Sequence, residues 1–487
     1  MQQFDFSLLS PQIVWKHFST LCRIPRLSKQ EHKLRDYLND WAKSRGLETY
    51  IDHIGNLIIR KPAVSGKENV KGVILQGHLD MVTQANTGTQ HDFNKDPIRP
   101  VLEDDWLIAP DTTLGADNGI GVALALAVLE SSDISHGPIE VLLTVDEEAG
   151  MSGARLLESN ILNGHWLFNI DTEEWGELYL GCAGSQDVEI HQQLKYVATP
   201  QLDLEAIEIR ISGLRGGHSG VDIHLGRGNA NVILSRFLHQ HLQELDGYLV
   251  ELHGGTARNA LPREAYAKII LPKINIDLLE QRLDEYEARW NQSLKGIDDQ
   301  LKIEVQINRA LGNEIIHPEQ QAAWLEALAT CPYGVAQMSS ALPDVVETSN
   351  NIGVVHLDRD GAQAVIMVRS MVNTEAQAFS QKIATHFMKF GITSELAPLV
   401  SGWKPNPDSA ALKCLQQAYQ KAFNIEPNLK VIHAGLECGI IAEHYPNLQM
   451  VSFGPDIQGA HAPGERVKVD TVEKCWKLLV TALESVE

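Results

Sequence analysis

Apolar and polar positions follow two different patterns along this chain. In the first part, short apolar runs of strand type at 73–77, 139–145 and 166–170 alternate with segments of helical spacing such as 117–131. Strands that alternate with helices predict an α/β fold with a mostly parallel sheet and flanking helices. The same alternation of strand-type and helical segments resumes after about residue 400 and continues to residue 487.

The middle of the chain has a different pattern of apolar and polar residues. Alternation of apolar and polar residues at 204–212, 248–253 and 265–271 predicts a half-exposed sheet. Helical spacing at 228–245 and 276–294 places helices between and after these strands. We therefore expect an α/β domain formed by residues 1–185 and 400–487, interrupted by an inserted α+β domain at 186–399.

Composition narrows the class of protein. At 487 residues the chain is too long for one ordinary core, and 44% hydrophobic with 21% charged residues is typical of globular proteins. A net charge of −22, spread along the chain, disfavours nucleic acid and anionic membranes as partners. With no signal-peptide pattern, no long apolar run and six scattered cysteines, the chain is expected in the cytoplasm with buried thiols.

Histidines and carboxylates cluster where predicted strands end. They are His78 and Asp80, Asp117, Glu147 and Glu148, Asp171, and His461. Carboxyl ends of parallel strands meet at one edge of a sheet, and histidine with carboxylate is the ligand set of paired zinc-like ions. Singly, Asp117 could be a helix N-cap and the two glutamates a solvated turn, but the joint pattern favours a metal site.

Several segments carry a family resemblance. VILQGHLDMV, TTLGADNGIGVA, TVDEEAGMSGA, FNIDTEEWGEL and GAHAPGE resemble the di-zinc metallopeptidases of the aminoacylase and carboxypeptidase clan. Within that clan, GSQD, RGGHSGVDIHLGRGNAN, GGTARNALPRE and HAGLECG resemble the aminoacyl-histidine (Xaa-His) dipeptidases, the bacterial carnosinase-like group. These segments occur in the right order over nearly the whole chain.

The resemblance implies a role for each residue at the strand ends. Asp117 would bridge two divalent ions, zinc with cobalt or manganese as alternatives. One ion would also be held by His78 and Asp171, and the other by Glu148 and His461. Glu147 would be the general base and Asp80 would orient the His78 ring, as carboxylates commonly do for metal-binding histidines. The peptide bond after Asp117 is expected to be cis.

The resemblance further implies hydrolysis of dipeptides, with a preference for Xaa-His substrates of the β-alanyl-histidine type. A water activated by two metals would be the nucleophile. His218 in the inserted lid domain would stabilise the oxyanion, from its own subunit or across a homodimer. Asn259 and Arg369 are candidates for the substrate carboxylate, and Glu437 for its amino group, although Arg369 could be a surface charge and Glu437 a loop cap.

Two other functions remain open at this point. The same centre could act on N-acyl amino acids or other short peptides, since the shape of the pocket selects the substrate. The third hypothesis is that the protein binds metal but has lost catalysis. The retention of Glu147 together with every expected ligand argues against it.

Overall fold

The computed structural model describes residues 4–308, 313–340 and 342–487. The chain divides into two compact units. The α/β unit contains the chain up to Cys182, Trp403–Val431 and Leu436–Glu487, and the inserted unit contains Ala183–Gly402 and Ile432–Gly435. Residues 432–435 belong to the inserted unit, whereas the sequence pattern predicts that they belong to the α/β domain.

An eight-stranded sheet forms the centre of the α/β unit among the described residues. Its strands, in spatial order, are Glu48–Ile51, Leu57–Lys61, Ile139–Thr144, Val73–His78, Trp166–Asn169, Gln449–Ser452, Glu177–Cys182 and Asn428–Ile432. The four strands from Ile139–Thr144 to Gln449–Ser452 are parallel. Leu57–Lys61 is antiparallel to both of its neighbours, and Glu177–Cys182 is antiparallel to Gln449–Ser452. The predicted parallel sheet is thus confirmed for its central strands.

Helices bury this sheet. They are Gln12–Arg23, His32–Lys43, Ala116–Glu130, Glu147–Gly150, Ser152–Arg155, Ala410–Phe423, Glu437–His444 and Val469–Ser485. Strand Val73–His78 is buried at every position, which explains why its sequence is a continuous apolar run rather than an alternating one. A small sheet of Ile457–Gln458, Arg466–Lys468, Trp106–Ile108 and Val101–Glu103 lies in the same unit.

The inserted unit has its own sheet and its own hydrophobic core. The strands, in spatial order, are Lys302–Asn308, Leu204–Ser212, Ala265–Pro272, Tyr248–Gly254, Val346–Asp358, Gly361–Ser370, Gly184–Gln192 and Thr393–Leu396, and Gly334–Met338 pairs with Val346–Asp358. Its helices are Ala230–His241, Ile276–Ser293, Pro318–Thr330 and Asn373–Met388. Short strand pairs join Tyr196–Ala198 to Glu314–Ile316 and Gly217–His218 to Ala260–Leu261.

All six cysteines are buried and free of disulfides, as the scattered spacing predicts. Within the described ranges, no helix has the length and apolar character needed to cross a membrane.

Candidate metal centre

Three neighbouring parallel strands deliver side chains to one edge of the α/β sheet. Val73–His78 lies between Ile139–Thr144 and Trp166–Asn169 and is parallel to both. His78 is the last residue of its strand rather than part of the following loop, where the sequence places it. Glu147 begins a short helix three residues after Thr144, and Asp171 follows Asn169 by two residues. Because the strands run the same way, their carboxyl ends meet at this edge.

Two groups of potential ligands share Asp117. His78 Nε2 lies 3.0 Å from Asp117 Oδ1 and 3.4 Å from Asp171 Oδ1. His461 Nε2 lies 3.2 Å from Asp117 Oδ2 and 3.1 Å from Glu148 Oε2. In each group the ligand atoms lie within 4.8 Å of one another, which is close enough to hold one ion. The two oxygens of Asp117 therefore face two different histidines.

Glu147 also lies close to this centre. Its carboxylate falls within the same 4.8 Å limit of His78 and Glu148, so distance alone allows it to be either a ligand or a free base. Burial raises the pKa of Glu147 well above its ordinary value, and the nearby carboxylates of Asp171 and Glu437 reinforce this against the opposing effect of His78. A carboxyl group that gains a proton more readily than usual suits a general base.

Asp80 connects His78 to the segment that carries the two glutamates. Asp80 Oδ1 lies 3.5 Å from His78 Nδ1, and the two carboxylate oxygens accept hydrogen bonds from the amides of Glu147 at 3.0 Å and Glu148 at 3.1 Å. Ser28 Oγ donates a further hydrogen bond to Asp80 at 2.7 Å. These contacts and the proximity of His78 lower the pKa of Asp80 to about 2, although burial opposes the shift.

Glu465 holds the loop that carries Asp117. Its carboxylate accepts hydrogen bonds from four consecutive backbone amides, those of Leu114, Gly115, Ala116 and Asp117, at 2.8, 2.9, 2.7 and 3.3 Å. This side chain is buried, and four amides around one carboxylate fix the path of the loop. The peptide bond between Asp117 and Asn118 is cis, as the resemblance implies.

Arg26 supports the same loop from another direction. Its buried guanidinium donates hydrogen bonds to the carbonyls of Leu79, Asp80 and Gly115. The segment after His78 and the segment before Asp117 are therefore tied to one side chain.

Several buried carboxyl groups lie close together at the centre, and their burial and proximity shift their pKa values. Burial raises the pKa of Asp171 to about 6, and the neighbouring carboxylates of Asp117 and Glu148 add to the effect against the opposing pull of His78. Burial also raises the pKa of Glu173, two residues further along, to about 8. For His78 burial would lower the pKa, but the carboxylates of Asp171, Asp117 and Asp80 raise it well above the usual range.

The donor set fits divalent metal ions. Glu148 Oε1 is buried and has no hydrogen-bond partner among the described residues, although its carboxylate is within reach of His461. A buried carboxylate oxygen without a partner is costly unless a cation meets it. Imidazole and carboxylate ligands suit zinc and related ions, and such ions would neutralise the repulsion among these acids.

Glu437 is a buried neighbour of the centre. It begins the helix Glu437–His444, is fully buried, and accepts hydrogen bonds from Gln76 Nε2 at 2.6 Å and Thr144 Oγ1 at 2.8 Å. Burial raises its pKa to about 7. The loop-capping alternative is wrong, because its carboxylate bonds two strand side chains rather than the backbone of its own loop.

The remaining predicted residues lie in the inserted unit. His218 Nδ1 accepts hydrogen bonds from the amides of Gly220 and Val221, and its Nε2 lies 3.4 Å from Arg369 Nη2. Burial and the Arg369 charge lower the pKa of His218 to about 4. Arg369 is buried rather than a surface charge. Asn259 is exposed, and its backbone carbonyl accepts a hydrogen bond from the Ser219 amide.

Sequence reasoning missed the supporting residues. Glu465 lies four residues after His461 in the GAHAPGE segment, but nothing in the spacing shows that its partners are 350 residues away. Ser28 matches a helix-capping box with Glu31, but no side chain caps the helix His32–Lys43. Ser28 instead bonds Asp80, while Glu31 accepts hydrogen bonds from the amides of Lys29 and Asp146.

Groups of histidine and carboxylate ligands at the edge of a mostly parallel sheet are typical of metal-dependent hydrolases. The model of the family described as Peptidase family M20/M25/M40 matches residues 74–485, and the chain belongs to this family of peptidases, which bind divalent metals.

Two relatives match nearly the full chain. The cytosol non-specific dipeptidase of Escherichia coli K12 is 41% identical over 482 residues, which cover 99% of each chain. The crystal structure of the aminoacylhistidine dipeptidase of Vibrio alginolyticus superposes with a TM-score of 0.93 at 43% identity, covering 99% of this chain and 98% of that one. The aminopeptidase PepT of Bacillus cereus, at 17% identity and a TM-score of 0.56 over 98% and 99% of the two chains, shares the fold.

Proposed function

We propose that this peptidase is a cytoplasmic dipeptidase that uses two divalent ions and accepts Xaa-His dipeptides along with others. The observation that carries the proposal is Asp117, whose two oxygens lie 3.0 and 3.2 Å from the nitrogens of His78 and His461. The similarity to a non-specific dipeptidase of Escherichia coli and an aminoacylhistidine dipeptidase of Vibrio alginolyticus supports the substrate class.

Asp117, His78 and Asp171 would hold one ion, and Asp117, Glu148 and His461 the other. The proposed metal is zinc, with cobalt or manganese as alternatives. Bound ions would supply Lewis acidity, which lowers the pKa of a water and polarises the scissile carbonyl. Asp80 would keep the His78 ring in place through its contact with Nδ1 at 3.5 Å.

Glu147 is proposed to move the proton. It would take a proton from the attacking water on one carboxylate oxygen and deliver it to the departing amine of the peptide bond. The raised pKa of this buried carboxyl group favours uptake of the proton, and the departing amine, which is a stronger base than a carboxylate, then accepts it. Glu148, its neighbour in sequence, faces His461 and would serve as a ligand instead.

Roles for the other residues remain predictions. His218 and Arg369 present a neutral imidazole and a guanidinium 3.4 Å apart, a pair suited to an oxyanion or a carboxylate. Asn259 is proposed as a further contact for the substrate carboxylate, and Glu437 for the amino group. For His218→Ala we expect turnover about 10²–10³-fold lower with metal content unchanged.

A panel of substrates before and after chelation tests the proposed function. The panel contains β-alanyl-histidine, other dipeptides, a tripeptide and an N-acetyl amino acid, and zinc, cobalt or manganese is restored after chelation. We expect the dipeptides to be hydrolysed, β-alanyl-histidine among them, with activity lost on chelation and recovered with metal. Preferred hydrolysis of the N-acetyl amino acid would overturn the substrate class, and full activity in the chelated protein would overturn the metal centre.

A further inference from the structure

Two histidines of the inserted unit face each other across neighbouring strands. His253 and His356 are directly paired in the register of Tyr248–Gly254 and Val346–Asp358. Their Nδ1 atoms lie 2.9 Å apart, and both side chains are partly exposed on the sheet. Neither histidine belongs to the ligand groups of the α/β unit.

The ring of His253 is held from two sides. It stacks on Tyr266, with ring centroids 5.1 Å apart and an angle of 20° between the planes. Asp358 Oδ2 lies 3.6 Å from His253 Nε2, on the side of the ring opposite His356. Asp358 is itself fixed, because its Oδ1 accepts a hydrogen bond from the Asp360 amide at 2.9 Å.

The charge of Asp358 favours one tautomer of His253. A carboxylate 3.6 Å from Nε2 favours a proton on that nitrogen, which leaves the lone pair of Nδ1 on the side of the ring that faces His356. Metal-binding histidines commonly have a carboxylate beside one ring nitrogen and bind the metal through the other. The Nδ1–H of His356 can satisfy that lone pair; when an ion binds both Nδ1 atoms instead, the His356 ring carries its proton on Nε2.

We propose that His253 and His356 form a second metal site, a two-histidine chelate for Cu²⁺ or Ni²⁺. An ion bonded to both nitrogens at about 2.1 Å with an angle near 90° sets them about 3.0 Å apart, whereas a tetrahedral angle requires about 3.4 Å. The observed 2.9 Å lets both nitrogens reach one such ion, and Cu²⁺ and Ni²⁺ are divalent ions that bind imidazole nitrogen strongly.

Access to the site is open. A surface cavity of about 440 Å³ is lined by His356 and Asp358 together with residues of 191–193 and 360–363. Two protein nitrogens leave further coordination positions, which solvent or a small ligand can fill from this cavity. Because the two rings are partly exposed and His356 lines this cavity, we expect the ion to bind reversibly.

Electron paramagnetic resonance of the zinc-loaded full-length protein titrated with Cu²⁺ tests this site. We expect a Cu²⁺ signal with splitting from two nitrogens that saturates at one ion per chain. His253→Gln and His356→Gln should each remove this signal or raise its Kd at least about tenfold. His239→Gln, at an exposed histidine of the helix Ala230–His241, is the matched control and should keep it.

A second variant separates a metal site from a structural hydrogen bond. Asp358→Asn should weaken Cu²⁺ binding about 10–100-fold, because the carboxylate no longer fixes the His253 ring. Added Ni²⁺ should raise the melting temperature of the wild type and of His239→Gln but not of His253→Gln. An unchanged signal in both His253→Gln and His356→Gln would overturn the proposal and leave the pair as a hydrogen bond. Because these histidines are separate from the α/β unit's centre, failure here would leave the dipeptidase proposal untouched.

Discussion

Glu147 and Glu148 are adjacent in sequence but have different surroundings. The amides of both residues donate to the two oxygens of Asp80, so one carboxylate positions the pair. Glu148 lies 3.1 Å from His461, while Glu147 lies among His78, Asp171 and Glu437 with a raised pKa. At the scale of single residues, this difference supports the proposal that Glu148 binds metal and Glu147 carries a proton.

For Glu147→Gln we expect turnover at least about 10³-fold lower, with the wild-type metal content. The amide cannot take up a proton, but it leaves the proposed ligands in place. Dipeptide kinetics and metal analysis of the same preparation measure both effects, with Glu103→Gln, at an exposed position, as the control. Loss of one ion per chain in Glu147→Gln would instead make Glu147 a ligand.

Glu465→Gln should weaken metal binding about tenfold or more. An amide has one acceptor oxygen in place of two and no charge, so it cannot satisfy four backbone amides around Asp117. Competition with a chelator measures the affinity, and Glu473→Gln on an exposed helix face is the matched control. Equal affinities in the two variants would show that the loop keeps its shape without the Glu465 carboxylate.

At the scale of elements, the central strands were the easiest to predict. The apolar runs at 73–77, 139–145 and 166–170 match strands Val73–His78, Ile139–Thr144 and Trp166–Asn169 to within one residue at each end. Burial on both faces leaves mostly apolar residues in such strands, so the apolar run is nearly continuous, and the few polar residues within it, such as Gln76 and Glu140, are buried. Ser10 followed by Pro11 predicts a capping serine with proline at the first helical position, but the helix begins at Gln12 with Pro11 as its N-cap.

Strand Val73–His78 must pass close to the loop that carries Asp117. A Cβ on Gly77 would lie well inside contact distance of Asn118 Oδ1, and Asn118 cannot turn away because its Nδ2 donates to the Ile170 carbonyl. We expect Gly77→Ala to destabilise the protein by about 1–3 kcal/mol and to lower metal affinity. Gly72→Ala is the control, since its nearest contact would be Gly164 Cα at 3.3 Å.

Denaturant unfolding and metal analysis of both glycine variants check this expectation. The packing account is contradicted if Gly77→Ala unfolds like Gly72→Ala and binds metal with the affinity of the wild type.

At the scale of the whole molecule, the buried acids couple stability to metal and pH. Folding raises the pKa of Asp171 from 3.8 to about 6 and that of Glu437 from 4.5 to about 7. Between about pH 4 and pH 7 the folded, metal-free protein therefore binds more protons than the unfolded chain, and these groups lower its stability as pH rises. Bound cations would offset this penalty by neutralising the carboxylates.

We accordingly expect the difference in melting temperature between metal-loaded and chelated protein to grow from pH 5 to pH 8. Thermal unfolding at fixed ionic strength measures it. Glu437→Gln removes one of the titrating groups, so the increase should be smaller in that variant. A difference that stays constant with pH, or that shrinks as pH rises, would contradict the coupling.

The sequence alone determined the chemistry of the centre. His78, Asp117, Glu148 and Asp171 stand next to predicted strand or helix boundaries and His461 lies in the loop after a predicted strand, and such boundaries follow from local patterns of apolar residues. Parallel strands then bring their carboxyl ends together regardless of the details of packing. The ligand types and their common location were predictable for this reason.

Only the tertiary structure decided the rest. Glu465 meets the amide of Asp117, Ser28 meets Asp80, and His253 meets His356, over separations of 348, 52 and 103 residues. Such contacts depend on how whole elements pack and on strand register, where a shift of one residue turns every side chain to the other face. No local pattern records that choice, so the residues that support the centre and the histidine pair emerge only from the folded chain.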